Sequence, residues 1–248
     1  MTDVHDRIRE FWDRDAETYD RSASHAVSDP LEAAAWRATL RTVLPEPPVA
    51  VLDVGAGTGS LSLLAAELGY RVTALDLSES MLSKAREKAG ERDLGLAFEV
   101  GSAMTPRAGP FDAVMERHVL WTMPDPVGAL RAWRDVTAPG GRVVLFEGLW
   151  GSRAPVHRAK HAIADVVRRA MGAAAHHHAP YPDEVIASLP LARMPSPLPL
   201  AEAAVEAGWT GIRIRRLRDV EWTARLHEPW PLGWLEHLPR YALAADRA

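Results

Sequence analysis

The sequence predicts an α/β protein in which helices cover both faces of an open, mostly parallel sheet. Three observations predict it. Residues 49–54 (VAVLDV) form a nearly unbroken apolar run of strand length, the pattern of a strand buried on both faces. That run leads straight into three alternating glycines, Gly55, Gly57 and Gly59, which permit a tight turn into a helix. Beyond them, segments of helical apolar spacing alternate with further short apolar runs.

The first strand carries Asp53 near its carboxyl end, and the glycines after it lack the Cβ atoms that would keep a ligand from the backbone. Ligands of open α/β sheets bind outside the carboxyl ends of the strands, so a nucleotide-like ligand is expected here. The spacing is GxGxG. A dinucleotide fingerprint needs GxGxxG, and counted from Gly55 its third glycine would fall on Ser60. Residues 61–68 then have helical spacing, Gly69 suits a stop, and residues 71–75 read as a second strand ending at Asp76. Asp76 lies 23 positions beyond Asp53. An acid at the tip of the second strand suits a ribose diol, because a carboxylate only accepts hydrogen bonds and can take both hydroxyl protons. The plainer role for Asp76 is to cap the helix that begins SESMLSKAREKA, although Ser78 suits that place at least as well.

A short strand at 97–100 precedes GSAM (residues 101–104), and PFDAVMERHVLWTMPDP (110–126) and APGGRVVLFEGLW (138–150) follow. Together with the acid, the glycine turn and Asp76, these segments resemble the ordered motifs of the class I methyltransferases that use S-adenosylmethionine (SAM). The resemblance is strong over about residues 40–150 and loose elsewhere. It implies a Rossmann-like seven-stranded sheet, mostly parallel with an antiparallel last strand, and a substrate-covering insertion. It also implies that Asp53 meets the amino-acid end of SAM, that Gly55, Gly57 and Gly59 pass close to it, and that Asp76 and its neighbour Leu77 bind the ribose side. Ser102 stands where the family often has an acid facing adenine, so its contact would be weaker, with the Ala103 N–H alongside. Tyr19 would belong to a flap over the cofactor, unless FWDRDAETYDR (11–21) is an ordinary surface helix. Arg117 joins the cofactor-binding set.

His118, just past the fourth strand, is the candidate general base, with orienting the substrate or capping the next helix as the alternatives. Trp121, Trp150 and Tyr181 are candidate substrate contacts, and Trp121 could equally be core. The expected organisation is a lid segment (1–45), a SAM-binding core (46–150), a cap (151–200) and the end of the sheet (201–248). Within the cap, residues 156–171 read as a helix with Ile163, Val166 and Val167 inward, and Met194 and several leucines offer an apolar lining. The run His176–His178 invites a metal, but three consecutive residues cannot easily point at one ion and no carboxylate stands at ligand spacing, so none is expected. A short helix at 201–207, a strand at 211–217 and a last strand within 240–248 complete the chain.

Composition excludes several classes. With no cysteine there is no disulfide framework and no zinc–thiolate site, consistent with the cytoplasm. No apolar run spans a bilayer, and the first ten residues are charged rather than signal-like. A net charge of −4 leaves no footprint for nucleic acid, and the arginines of RIRRLR (213–218) read as the solvated side of a strand. The expected activity is methyl transfer to oxygen or nitrogen of a small, ring-containing metabolite. Transfer to carbon or to a peptide is the alternative within catalysis, and a SAM-binding scaffold or regulator the alternative outside it. A homodimer stays open.

Overall fold

The computed structural model describes residues 9–10, 12–21, 26–107, 109–149, 155–171, 183–226, 229–235 and 238–248. Seven strands form one sheet in the order β3-β2-β1-β4-β5-β7-β6. They are β1 (Ala50–Val54), β2 (Arg71–Asp76), β3 (Ala97–Val100), β4 (Phe111–Arg117), β5 (Thr137–Gly148), β6 (Thr210–Arg216) and β7 (Arg240–Asp246). β1 to β5 pair in parallel, and β7 runs antiparallel to both its neighbours, so it alone is reversed. The register puts Asp53 opposite Ala74 and Met115, which brings the tips of β1, β2 and β4 to one end of the sheet.

Helices α1 (Pro30–Val43), α2 (Ser60–Glu67), α3 (Glu79–Glu91), α4 (Pro126–Asp135), α5 (Pro155–Met171), α6 (Asp183–Ser188), α7 (Leu198–Glu206), α8 (Arg218–Leu226) and α9 (Leu232–Leu235) connect the strands. Side chains alternate across a strand, and the core divides accordingly. Leu52, Val54, Val114, Val143 and Leu145 pack beneath α4 and α7. Val51, Ala113, Met115, Val144 and Phe146 pack beneath α1, α2 and α8. Polar ends fix the helices in place. Asp29 caps α1 by accepting from the N–H groups of Leu31 and Glu32, and Asp125 caps α4 through Gly128. The Pro-Gly-Gly segment is carried within β5 and not as a separate turn. It is an irregularity in which pairing with β4 jumps from Phe111–Thr137 to Ala113–Arg142.

Two expectations need correction. On α5, Ile163 and Val166 are exposed (52% and 59%), Val167 is half-buried, and the buried residue is Ala164. Among the described residues the helix packs mainly on the short α9, which covers little of its apolar stripe. In the cap, Leu191, Met194 and Leu200 are buried in the core layer shared with α4 and α7, so their apolar surface goes to that layer. Among the described residues, no helix is long and apolar enough to cross a membrane.

Candidate functional site

The glycine turn is built from both ends. Asp53 is buried in β1 and accepts from Ser62 Oγ at 2.5 Å, which ties the strand to α2. Burial pushes the Asp53 carboxyl up to about 7, while the Ser62 bond and the Arg117 charge pull it down. Gly55 and Gly57 take φ values of 65° and 56°, in the left-handed region that favours glycine. A Cβ on Gly55 would stand 2.3 Å from Val119 Cγ2, so this turn interlocks with the loop after β4. The Gly57 N–H donates to Asp76 Oδ2 and the Ser78 N–H to Asp76 Oδ1, each at 2.8 Å. Burial raises the Asp76 carboxyl, and these two backbone donors oppose the rise. A carboxylate with one anchored lone pair on each oxygen still has acceptor capacity for two hydroxyls. Ser78, not Asp76, caps α3, through Met81 N–H at 3.1 Å.

The segment ahead of α1 lies over this turn. Tyr19 Cε1 is 3.8 Å from where a Gly57 Cβ would be, and the ring of Trp12 meets Tyr19 edge-on at 5.8 Å. Asp20 accepts from Thr58 Oγ1 at 2.7 Å and pairs with Lys88 Nζ at 2.5 Å. Asp13 accepts from Ser78 Oγ at 2.5 Å, and Glu17 pairs with Lys84 at 3.2 Å. Three acids on one short segment thus reach the turn and α3. Tyr19, Asp53, Gly55, Ala56, Ser60, Leu61 and Arg117 line a cleft beneath it, and burial raises the Tyr19 phenol.

At the ends of β4 and β5 stands a second group. His118 has φ 63°, and its N–H donates to the Phe146 carbonyl at 3.0 Å. Glu116 Oε2 accepts from Val119 and Leu120 N–H at 2.7 and 3.3 Å, and Glu147 Oε1 accepts from Trp121 N–H at 3.1 Å. Glu147 Oε2 is 3.7 Å from His118 Nδ1. Burial raises Glu116 to about 8, against its backbone bonds, and raises Glu147 well above the usual range, with the Glu116 charge adding to the rise. Trp121 is half-buried and packs against the core layer below α4. Arg117 points to the other side of the sheet, over the Trp36 ring at 5.7 Å.

Other expected residues fall around the β2 tip. The Gly101 N–H donates to the Asp76 carbonyl at 2.9 Å, which brings GSAM to the same edge. Ser102 Oγ accepts from Met104 N–H at 3.2 Å, the Ala103 carbonyl accepts from Trp133 Nε1 at 2.7 Å, and Leu77 is half-buried. Trp150, Tyr181 and His176–His178 lie outside the described residues. Among the described residues no group of three or more metal-ligating side chains is present. The residues present fit a nucleoside ligand: a Cβ-free turn, an anchored acid at the next strand tip, and a cleft reaching Asp53. Sequence reading missed Glu116 and Glu147. The available signal was an acid at the carboxyl end of an otherwise apolar strand, in VMER and LFEG.

Comparison with known proteins gives the same direction. Residues 52–145 match the methyltransferase domain family. A ubiquinone biosynthesis O-methyltransferase of Xanthomonas campestris pv. campestris (strain B100) is 31% identical over 188 residues, 74% of this chain and 69% of that protein. One of Caulobacter sp. (strain K31) is 37% identical over 98 residues, so the match spans 38% of this chain and about two fifths (39%) of that relative. The fold is similar to that of Haemonchus contortus phosphoethanolamine N-methyltransferase 2 in complex with SAM. The TM-score is 0.64 at 17% identity, over 96% of this chain and 59% of the other.

Proposed function

The chain belongs to the class I SAM-dependent methyltransferases, and on that footing we propose that it methylates an oxygen, or failing that a nitrogen, of a small, ring-containing acceptor. The observation that carries the reading is His118 at the end of β4, beside the glycine turn through Val119. A hydroxyl must shed its proton to become a good nucleophile, and an imidazole suits that work near neutral pH. The relatives named O-methyltransferase support oxygen over nitrogen.

Bound SAM supplies an electrophilic methyl group on a sulfonium. This chain's own residues supply position and field. Asp76 would hold the ribose hydroxyls, Gly55 and Gly57 would let the ligand lie against the backbone, and Asp53 would face its amino-acid end. Arg117 bears electrostatically on both Asp53 and Tyr19. Tyr19, held down by the acids around it, would exclude water from above, as lids do. In this reading residues 1–45 form the lid, 151–200 the cap, and Trp121 a wall of the acceptor pocket.

Calorimetric titration of SAM, followed by turnover on a panel of hydroxylated aromatic compounds, tests the reading. Micromolar binding, about −8 kcal/mol, with acceptor-dependent release of S-adenosylhomocysteine supports it. Binding without turnover on any acceptor would leave a scaffold instead, and no binding at all would end the methyltransferase reading.

A further inference from the structure

We propose that Arg240, with Arg117 beside it, holds an acidic substituent of the acceptor, so that the substrate is a hydroxylated aromatic acid and not a neutral phenol. The inference deepens the reading above and rests on it. Arg240 opens β7 and stands opposite Gly148, at the carboxyl end of β5, which is the ligand end of the sheet. Side chains alternate along a strand, and Ala242 and Ala244 lie in the layer beneath α1, α2 and α8, so Arg240 points to that side. Ala113 and Met115 place Arg117 on the same side, two strands away or about 10 Å. Arg117 also lines the cleft that holds Asp53 and Gly55. The two guanidiniums therefore bracket the end of β5, one strand to either side.

Arg240 is 6% exposed, and among the described residues its Nη1 has no hydrogen-bond partner. A buried cation left in that condition is costly. The carboxylates nearby are engaged elsewhere. Glu221 Oε1 accepts from Arg216 Nε and from the Arg240 backbone N–H, each at 2.9 Å, and Oε2 accepts from Arg216 Nη2 at 2.9 Å. Glu32 Oε1 accepts from Trp36 Nε1 at 3.4 Å. Both acids act on Arg240 through space, and neither bonds its Nη1. Burial lowers the Arg240 guanidinium to about 10, the Glu32 charge opposes the fall and the Arg117 charge adds to it, so the group stays charged at neutral pH. Two like charges held together out of water call for an anion. A carboxylate suits the place, because its two oxygens match the planar fork of a guanidinium. Trp36 lies 5.7 Å from the Arg117 guanidinium and meets Phe146 edge-on at 5.3 Å, and these rings keep the surroundings apolar. The amino-acid end of SAM also carries a carboxylate, but on the reading above it faces Asp53 on β1, three strands or about 15 Å from β7. The acceptor is therefore the source of the anion.

Calorimetry on the full chain saturated with S-adenosylhomocysteine tests this without turnover. The probes are neutral phenols, each beside its carboxylated counterpart: catechol with protocatechuate, guaiacol with vanillate, and pyrogallol with gallate. At least one acid is expected to bind about tenfold or more tighter than its neutral counterpart. Arg240→Met keeps much of the side-chain volume and should bring that acid down to the affinity of the phenol. Arg240→Lys should recover part of the difference, and neither variant should change the affinity for S-adenosylhomocysteine. A wild type that binds no acid more tightly than its phenol overturns the proposal, and so does a preference intact in Arg240→Met. Weaker S-adenosylhomocysteine binding with the preference intact also overturns it, and assigns the arginine to the cofactor. Should Arg240→Met fail to fold, Arg240→Lys carries the test, and a preference equal to that of the wild type overturns the proposal. Failure of the methyltransferase reading itself would appear separately, as absent SAM binding.

Discussion

The backbone N–H of Gly57 and the carboxylate of Asp76 are joined by a 2.8 Å hydrogen bond, which makes the turn after β1 and the tip of β2 one unit. The carboxylate therefore shapes the turn as well as being the group proposed to bind a diol.

Asp76→Ala should abolish both functions together. It removes two charge-assisted bonds from Gly57 and Ser78 and the diol acceptor, and each such bond is worth about 1.5–3 kcal/mol. SAM affinity measured by calorimetry is expected to fall about a hundredfold or more. Equal affinity in the variant would remove Asp76 from the cofactor site.

Gly55→Ala and Gly90→Ala should move stability in opposite directions. At Gly55 the left-handed backbone and the 2.3 Å approach to Val119 predict a loss of about 2–4 kcal/mol. Gly90 lies in α3 with nothing within 4 Å, so alanine should add about 0.5–1 kcal/mol. Urea unfolding of both variants checks the contrast.

The segment over the turn should act on residence time more than on folding. Asp20→Ala removes the contacts to Thr58 and Lys88 from a partly exposed site, worth about 1 kcal/mol or less to stability. SAM dissociation followed by stopped flow should quicken about three- to tenfold. An unchanged off-rate would mean that this segment is not a lid.

The buried acids predict how stability responds to pH. Glu116 is raised to about 8 and Asp53 to about 7, so the native state keeps protons that the unfolded chain has already lost. Their contribution is complete below the ordinary carboxyl range and is lost as pH rises through about 7 to 8. The melting temperature should therefore decline from pH 5 to pH 9, and Glu116→Gln should flatten the decline. A variant curve parallel to the wild type would contradict the assignment.

Much of this was legible in the residues because it is local. Asp53, the three glycines and Asp76 are ordered along one βαβ unit, and the strand boundaries there are marked by unbroken apolar runs. The glutamate pair was hidden because Glu116 and Glu147 are 31 positions apart and meet only through β4–β5 pairing. The links from Asp13, Glu17 and Asp20 to Ser78, Lys84 and Lys88 likewise join distant segments. The outward face of α5 was misread for a different reason. Periodicity reports that a helix has an apolar stripe, not that a core lies beneath it.

The exposed edge of the sheet has a consequence for how molecules of this chain behave at high concentration. Among the described residues β6 pairs only with β7, which leaves its other side without a strand. An open edge is a template for a strand from another molecule. Here that edge carries Arg213, Arg215 and Arg216, and Asp246 and Glu221 hold two of them in place. A second copy brought up edge to edge would set arginine against arginine. The same arginines that give the strand its solvated side thus oppose the pairing of two copies through this edge.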